Sequence, residues 1–193
     1  MKKFIFFALI VSSIFSLIGC TASSPVPRGS DISIDTDDLD GLNKQYIYPI
    51  FISGMTRTSW ESPEDIEPDY FIDFFTSLHD LDESVDFDNY PEDELYNILV
   101  PADVLESVVQ KYFDVAPEHI RKSRFFSSKE EQYRIVGIGG VAESRAISAR
   151  LDGNILTIDF ESFIGEEIGR QGSAALQMEH DGSYKYKSVN RGE

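Results

Sequence analysis

One cysteine, Cys20, in a chain of 193 residues is the feature that most limits this fold. No intramolecular disulfide can form, so packing alone must hold together whatever folds beyond it. Its position is equally telling. Lys2 and Lys3 are followed by an uncharged run from Phe4 to Ile18 that ends just before Cys20. A helix that crosses a bilayer needs about 20 apolar residues, and this run is shorter. A basic start followed by a short apolar stretch is the pattern of a secretory signal.

The four residues Leu17-Ile18-Gly19-Cys20 resemble the bacterial lipobox, in which an aliphatic residue and two smaller ones precede the cysteine. The resemblance implies cleavage between Gly19 and Cys20 and a diacylglyceryl group on the Cys20 thiol. It also implies a protein held by its lipid at the extracytoplasmic face of the cell membrane. Two acyl chains give the double anchor that stable attachment requires, where one chain gives only marginal binding.

Removing residues 1–19 leaves 174, enough for one domain with a real core. The excised part takes two lysines and no acid with it, so the net charge moves from −17 to −19. Such a surface repels nucleic acid, which is therefore not an expected partner. A hydrophobic fraction of 41% places the chain among folded proteins rather than disordered ones. The expected organisation is a signal peptide at 1–19, a lipidated cysteine and acidic tether at 20–43, and a single domain at 44–193. The tether is small, polar and punctuated by Pro25, Pro27 and Gly29, and then adds Asp31, Asp35, Asp37, Asp38 and Asp40.

Along the domain, Tyr46 to Ile52 is nearly all apolar, and Pro49 within it predicts an edge strand. Ser62-Pro63-Glu64-Asp65 has the cap, first-turn proline and acidic turn of a helix start, and Glu67-Pro68-Asp69 offers a second. Tyr70, Phe71, Phe74, Phe75 and Leu78 recur at helical spacing. A second helix is predicted near Pro101, with Val104, Leu105, Val108, Val109 and Tyr112 as its apolar stripe and Glu106, Gln110 and Lys111 outward. Ala116-Pro117-Glu118 begins a third, short turn that carries Arg121 and Lys122. The remainder reads as sheet, from Tyr133, Ile135 and Val136 onward. Asp152-Gly153 and Asp181-Gly182 mark hairpin turns. The expected fold is α+β, with two or three N-terminal helices packed on one face of a C-terminal antiparallel β-meander.

Val100-Pro101-Ala102, Lys111-Tyr112-Phe113-Asp114-Val115, the segment from Arg121 to Phe126 and Asp181-Gly182-Ser183-Tyr184-Lys185-Tyr186 are similar to stretches of small uncharacterised lipoproteins of Gram-positive bacteria. The resemblance spans about half of the mature chain and implies no activity.

Several constellations bear on chemistry. Gly137-Ile138-Gly139-Gly140-Val141-Ala142 has dinucleotide-fingerprint spacing, but no parallel βαβ units follow, and a bulge or tight loop is the plainer reading. Asp35 to Gly41 hints at a calcium loop whose completing bidentate acid is missing, and Asp86, Asp88, Asn89, Glu92 and Asp93 form a second acidic group without ligand spacing. His79, His119 and His180 make no metal motif. Trp60, Tyr46, Tyr48 and Phe51 are candidates for a sugar- or peptide-binding groove. Arg121, Lys122 and Arg124 form a basic cluster suited to an anionic envelope polymer or a partner protein, with pairing to nearby acids as the simpler account. No metal, cofactor or catalytic residue is assigned. The expected role is a lipid-anchored module that binds a protein, peptide or envelope component. A tethered hydrolase acting on envelope material through a carboxylate pair is the alternative.

Overall fold

The computed structural model describes residues 33–79, 81–82, 85–137, 143–164 and 167–192. The signal segment, Gly19 and Cys20 lie outside them, as do Ile138 to Ala142 of the glycine motif. Among the described residues, five α-helical segments precede or flank a three-stranded sheet: α1 (Leu39–Leu42), α2 (Tyr48–Ile52), α3 (Pro68–Ser77), α4 (Ala102–Tyr112) and α5 (Pro117–Ile120). The short strands are β1 (Ile98–Pro101), β2 (Phe126–Ser127) and β3 (Gln132–Ile135), in the spatial order β1-β3-β2. The chain then runs through β4 (Glu143–Asp152), β5 (Ile155–Ile164), β6 (Glu167–Met178) and β7 (Tyr184–Arg191) as an antiparallel meander. The fold is mixed α+β, as the order of the sequence patterns predicts.

The meander shows the two-residue alternation of a sheet covered on one face. Leu156, Ile158 and Phe160 of β5, Ala174, Leu176 and Met178 of β6, and Tyr184, Tyr186 and Val189 of β7 are buried. Their register partners on neighbouring strands fall on the same face, such as Leu156 opposite Leu176 and Ile158 opposite Ala174. Phe113, just beyond α4, joins the layers. Its ring lies 4.9 Å from Phe74 of α3, 5.1 Å from Tyr186 of β7 and 6.3 Å from Trp60. The two expected hairpins turn where Asp-Gly stands, with Gly153 at φ +61° and Gly182 at φ +87°. Glycine reaches this left-handed region without a Cβ penalty.

Four expectations need correction. The stretch from Tyr46 to Ile52 is helical, not an edge strand: α1 passes through a π-turn, Asn43–Ile47, into α2. Leu42, Tyr46, Ile47 and Ile50 are buried, which is helical spacing. Pro49 sits in the first turn of α2, where a missing N–H is tolerated. It leaves the carbonyl of Gln45 without its usual donor four residues on, and the Tyr184 hydroxyl donates there at 3.3 Å. Secondly, folded structure begins before residue 44, because Asp38 caps α1 by accepting from the Gly41 amide and Leu42 joins the core. Thirdly, Tyr133 and Ile135 do not open the meander. They belong to β3, which pairs with β1 from across α4. Finally, Glu106 faces inward, because Arg121 and the Tyr133 hydroxyl supply the partners that a buried carboxylate needs.

Candidate functional site

The three-stranded sheet has an inner face of Ile98, Val100, Tyr133 and Ile135 and an outer face that carries Leu99, Arg134 and Gln132. The outer face forms the floor of a cleft of about 270 Å³ lined by Leu99, Arg124, Phe125, Phe126, Gln132 and Arg134, with Ser127 and Glu130 at its side. Arg124 reaches it from the segment after α5. Its Nε lies 3.0 Å from Asp69 of α3, and its guanidinium stacks 4.8 Å from the centre of the Phe125 ring. Asp69 also accepts from the Ser123 hydroxyl at 2.7 Å and from the Arg124 amide at 3.1 Å, so the arginine is fixed at its root. Arg134 places its Nε 3.0 Å from Asp93. Both side chains nevertheless remain largely in solvent, at 77% and 55% exposure. Each therefore spends one edge of its fork on an internal acid and presents the rest outward. The Ser127 hydroxyl donates to Glu130, and that hydrogen bond, with Lys129 beside it, holds the Glu130 carboxyl below its ordinary range.

Beside the cleft the chain makes a tight turn before β1. Glu92 bridges to Ile98, and the Asp93 amide donates to the Asn97 carbonyl at 2.9 Å. The Asp93 carboxylate accepts from the Leu95 amide at 2.8 Å, the Asn97 amide at 3.0 Å and the Asn97 side chain at 3.0 Å. Those hydrogen bonds, Asn97 first, and the Arg134 charge keep Asp93 ionised below the usual carboxylate range. At the apex stand Leu95, 76% exposed, and Tyr96, 83% exposed. Tyr96 has φ +61°, and Glu131, in the turn between β2 and β3, has φ +50°. Both non-glycine residues with positive φ among the described residues thus belong to this small sheet. For a bulky side chain the left-handed region costs on the order of 1–2 kcal/mol.

A second concavity lies where the π-turn meets the end of α3. Two adjoining hollows of about 290 and 340 Å³ share Lys44 and Leu81, with Tyr48, Tyr112 and Tyr184 on their walls.

The groups that the sequence singled out fall in other places. Trp60 and Tyr46 are core, the Trp60 indole donating to the Met55 carbonyl at 3.0 Å. Phe51 packs against the same core, and Tyr48 alone of the four stands at the surface. His79 bonds the Val85 carbonyl and stacks on Phe87; His119 bonds the Ile66 carbonyl. Both imidazoles thereby hold loops to the core. Asp35 and Asp38 accept from backbone amides two and three residues on, and Asp86 caps a short turn through the Asp88 amide and the Asn89 side chain. Among the described residues no group of three His, Cys, Asp or Glu side chains is placed to hold a metal ion. Of the glycine motif, Gly137 is described, and the chain beyond it enters β4 as a strand instead of the helix that a dinucleotide site requires.

Glu106 and Glu161 are the buried carboxylates among the described residues. Glu106 binds Arg121 through two hydrogen bonds of 2.7 and 3.0 Å and accepts from Tyr133 at 3.0 Å. Glu161 accepts from Arg145 at 3.0 Å. Asp73, half-buried on α3, has its carboxyl pushed up by burial and then by Asp69, but Asp69 is committed to Ser123 and Arg124. None of these forms a pair of acids facing each other across a cleft.

Of the basic cluster, Arg121 is structural, Arg124 lines the cleft and Lys122 is exposed nearby. Arg134 and the Leu95–Tyr96 apex escape a sequence reading. Arg134 reaches the cleft only through long-range pairing of β1 with β3, and nothing in Glu94-Leu95-Tyr96-Asn97 signals a left-handed tyrosine.

A family model, described as a family of unknown function (DUF6070), matches residues 33–151. That span includes the cleft and the exposed turn. No curated protein matches the chain, and no solved structure does.

Proposed function

The chain belongs to this family of unknown function, and from that premise we propose that it is a lipid-anchored, extracytoplasmic module that works by binding. Its contact surface is the Leu95–Tyr96 turn with the adjoining arginine cleft. The observation that carries the reading is the turn itself. Two large apolar side chains are held in solvent on a backbone that a tyrosine adopts only at a cost. Asp93 and Asn97 fix that conformation with hydrogen bonds rather than letting it relax. A turn with no task could bury or replace these residues at a gain in stability. A hydrophobic anchor on a rigid mount is the form that interface hot spots take.

The anchor rests on Leu17-Ile18-Gly19-Cys20. Cells fed a labelled fatty acid should label the wild-type protein and leave Cys20→Ala unlabelled and uncleaved; equal labelling of both rejects the anchor. For the contact surface, a photo-reactive side chain at position 96 in living cells should give a discrete cross-linked species. The same group at exposed Lys122 serves as the control. Equal, diffuse labelling at both positions rejects the turn as a contact surface.

A further inference from the structure

We propose that the concavity at the π-turn is a saccharide site that takes a neutral sugar of two rings, one in each hollow. It shares no lining residue with the Leu95–Tyr96 turn or the arginine cleft, and does not rest on the reading of either.

The local sequence builds one wall of it. Leu42, Tyr46, Ile47 and Ile50 turn to the core, which leaves the opposite helical stripe of Gly41, Lys44, Gln45 and Tyr48 to line the two hollows. The remaining lining comes from the end of α3, with Ser77, Leu78 and Leu81, and from Tyr112 and Tyr184. Single π-turns are frequent at functional sites.

The polar groups here ask for different partners. The Asn43 carboxamide donates through Nδ2 to the Ser144 carbonyl at 3.0 Å, but its Oδ1 is buried with no hydrogen-bond partner among the described residues. A buried acceptor in that state calls for a donor. Lys44, which both hollows share, is exposed and makes no ion pair among the described residues, so it calls for an acceptor. A hydroxyl is the neutral group that gives and receives. Tyr112 and Tyr184 donate their own protons to Asp82 at 3.0 Å and to the Gln45 carbonyl at 3.3 Å, and keep lone pairs that accept. Tyr48, 41% exposed, and Leu81, 38% exposed, supply apolar surface against which the C–H face of a sugar ring packs.

The charges nearby disfavour other occupants. An anion would lie near the Asp82 carboxylate that Tyr112 holds, in a chain of net charge −17. A cation would meet Lys44. A wholly apolar ligand would leave Lys44 and Asn43 unmet. At about 290 and 340 Å³, each hollow is at the small end of ligand sites, which suits one ring apiece.

The test uses the full-length protein in a detergent without a sugar headgroup. Saturation-transfer NMR is run with three neutral disaccharides, cellobiose, maltose and N,N′-diacetylchitobiose, and with digalacturonate as the charged comparison. At least one neutral disaccharide is expected to bind, and to bind more tightly than digalacturonate. Tyr48→Ala should weaken that binding about tenfold, whereas Tyr48→Phe, which keeps the ring, should stay close to wild type. Lys44→Met should weaken it several-fold, and Lys122→Ala should leave it unchanged. Both Lys44 and Tyr48 are exposed, so an unchanged melting temperature separates lost contact from lost folding. Should Tyr48→Ala melt early, Lys44→Met carries the same decision. No binding by any of the three neutral sugars overturns the proposal, as does tighter binding of digalacturonate. Binding that both Tyr48→Ala and Lys44→Met leave intact overturns it as well.

Discussion

The two sheets of this molecule solve the same problem of turning in opposite ways. In the meander the left-handed positions fall to Gly153 and Gly182, each following an aspartate. In the small sheet they fall to Tyr96 and Glu131. The meander keeps to local preference in its turns, with glycine after aspartate at each hairpin and a core filled by Leu156, Ile158, Leu176 and Tyr186. Its alternation is interrupted by bulges between Ala146 and Ser148, Ser162 and Phe163, and Ala175 and Leu176. The small sheet departs from local rules in its turns and exposes two large side chains where they are most visible. Agreement between local preference and global fold marks a scaffold; a sustained conflict marks a place kept for something other than stability. Positive-φ strain at non-glycine residues thus gathers, among the described residues, in the turns of the small sheet, which also carries the cleft.

The contrast can be broken in several places, and the largest effect belongs to the scaffold. Phe113→Ala removes the ring that joins α3, Trp60 and β7, and should cost about 3–5 kcal/mol in urea unfolding. Should it cost less than the change described next, the meander is not the dominant store of stability. Glu106→Gln leaves Arg121 without its counter-charge. Because that guanidinium is 40% exposed, water relieves part of the loss, and roughly 1.5–3 kcal/mol is expected in the same assay. Gly153→Ala meets no neighbouring atom, so only backbone strain remains, and about 1 kcal/mol of destabilisation should follow. Tyr96→Gly should run the other way. Relief of the left-handed tyrosine outweighs the added freedom of the unfolded chain, for a gain of up to about 1 kcal/mol. A loss of stability in that variant would mean that Tyr96 packs usefully, and the distinction between the sheets would fail.

The smallest effect is acid loosening of the turn. Asp93 is held below its ordinary pKa chiefly by Asn97, so its contribution is complete above about pH 4, the unfolded value. It is lost as the pH falls through the lower folded value. The protection of the Leu95 and Asn97 amides against hydrogen exchange, after correction for the slower intrinsic exchange in acid, should therefore fall on acidification while the amide of Ile158, deep in β5, stays protected.

What could be read from residues alone follows the same division. The hairpins at Asp152-Gly153 and Asp181-Gly182 and the apolar stripe of α4 were legible because each signal is local and agrees with its surroundings. Tyr46 to Ile52 misled because an apolar run with one proline fits an edge strand and a helix start equally well. The periodicity that decides it, with Leu42, Tyr46, Ile47 and Ile50 buried, begins inside a stretch whose aspartates suggest a tether. Glu106 misled because its partners, Arg121 and Tyr133, lie 15 and 27 residues away. At the candidate site, Arg124 could be picked out as a cation in an acidic chain. Arg134 and Leu99 could not, since they meet only when β1 crosses back to β3, and the handedness of a backbone at Tyr96 leaves no mark on composition.

The hydroxyls of Tyr184 and Tyr186 donate to the carbonyls of Gln45 and Tyr46, across 139 and 140 residues of chain. The π-turn between α1 and α2 is thus tied to β7. During synthesis from the amino end, those two bonds must wait until β7 has emerged. Assembly of this protein is accordingly a late, concerted closure rather than a progressive one.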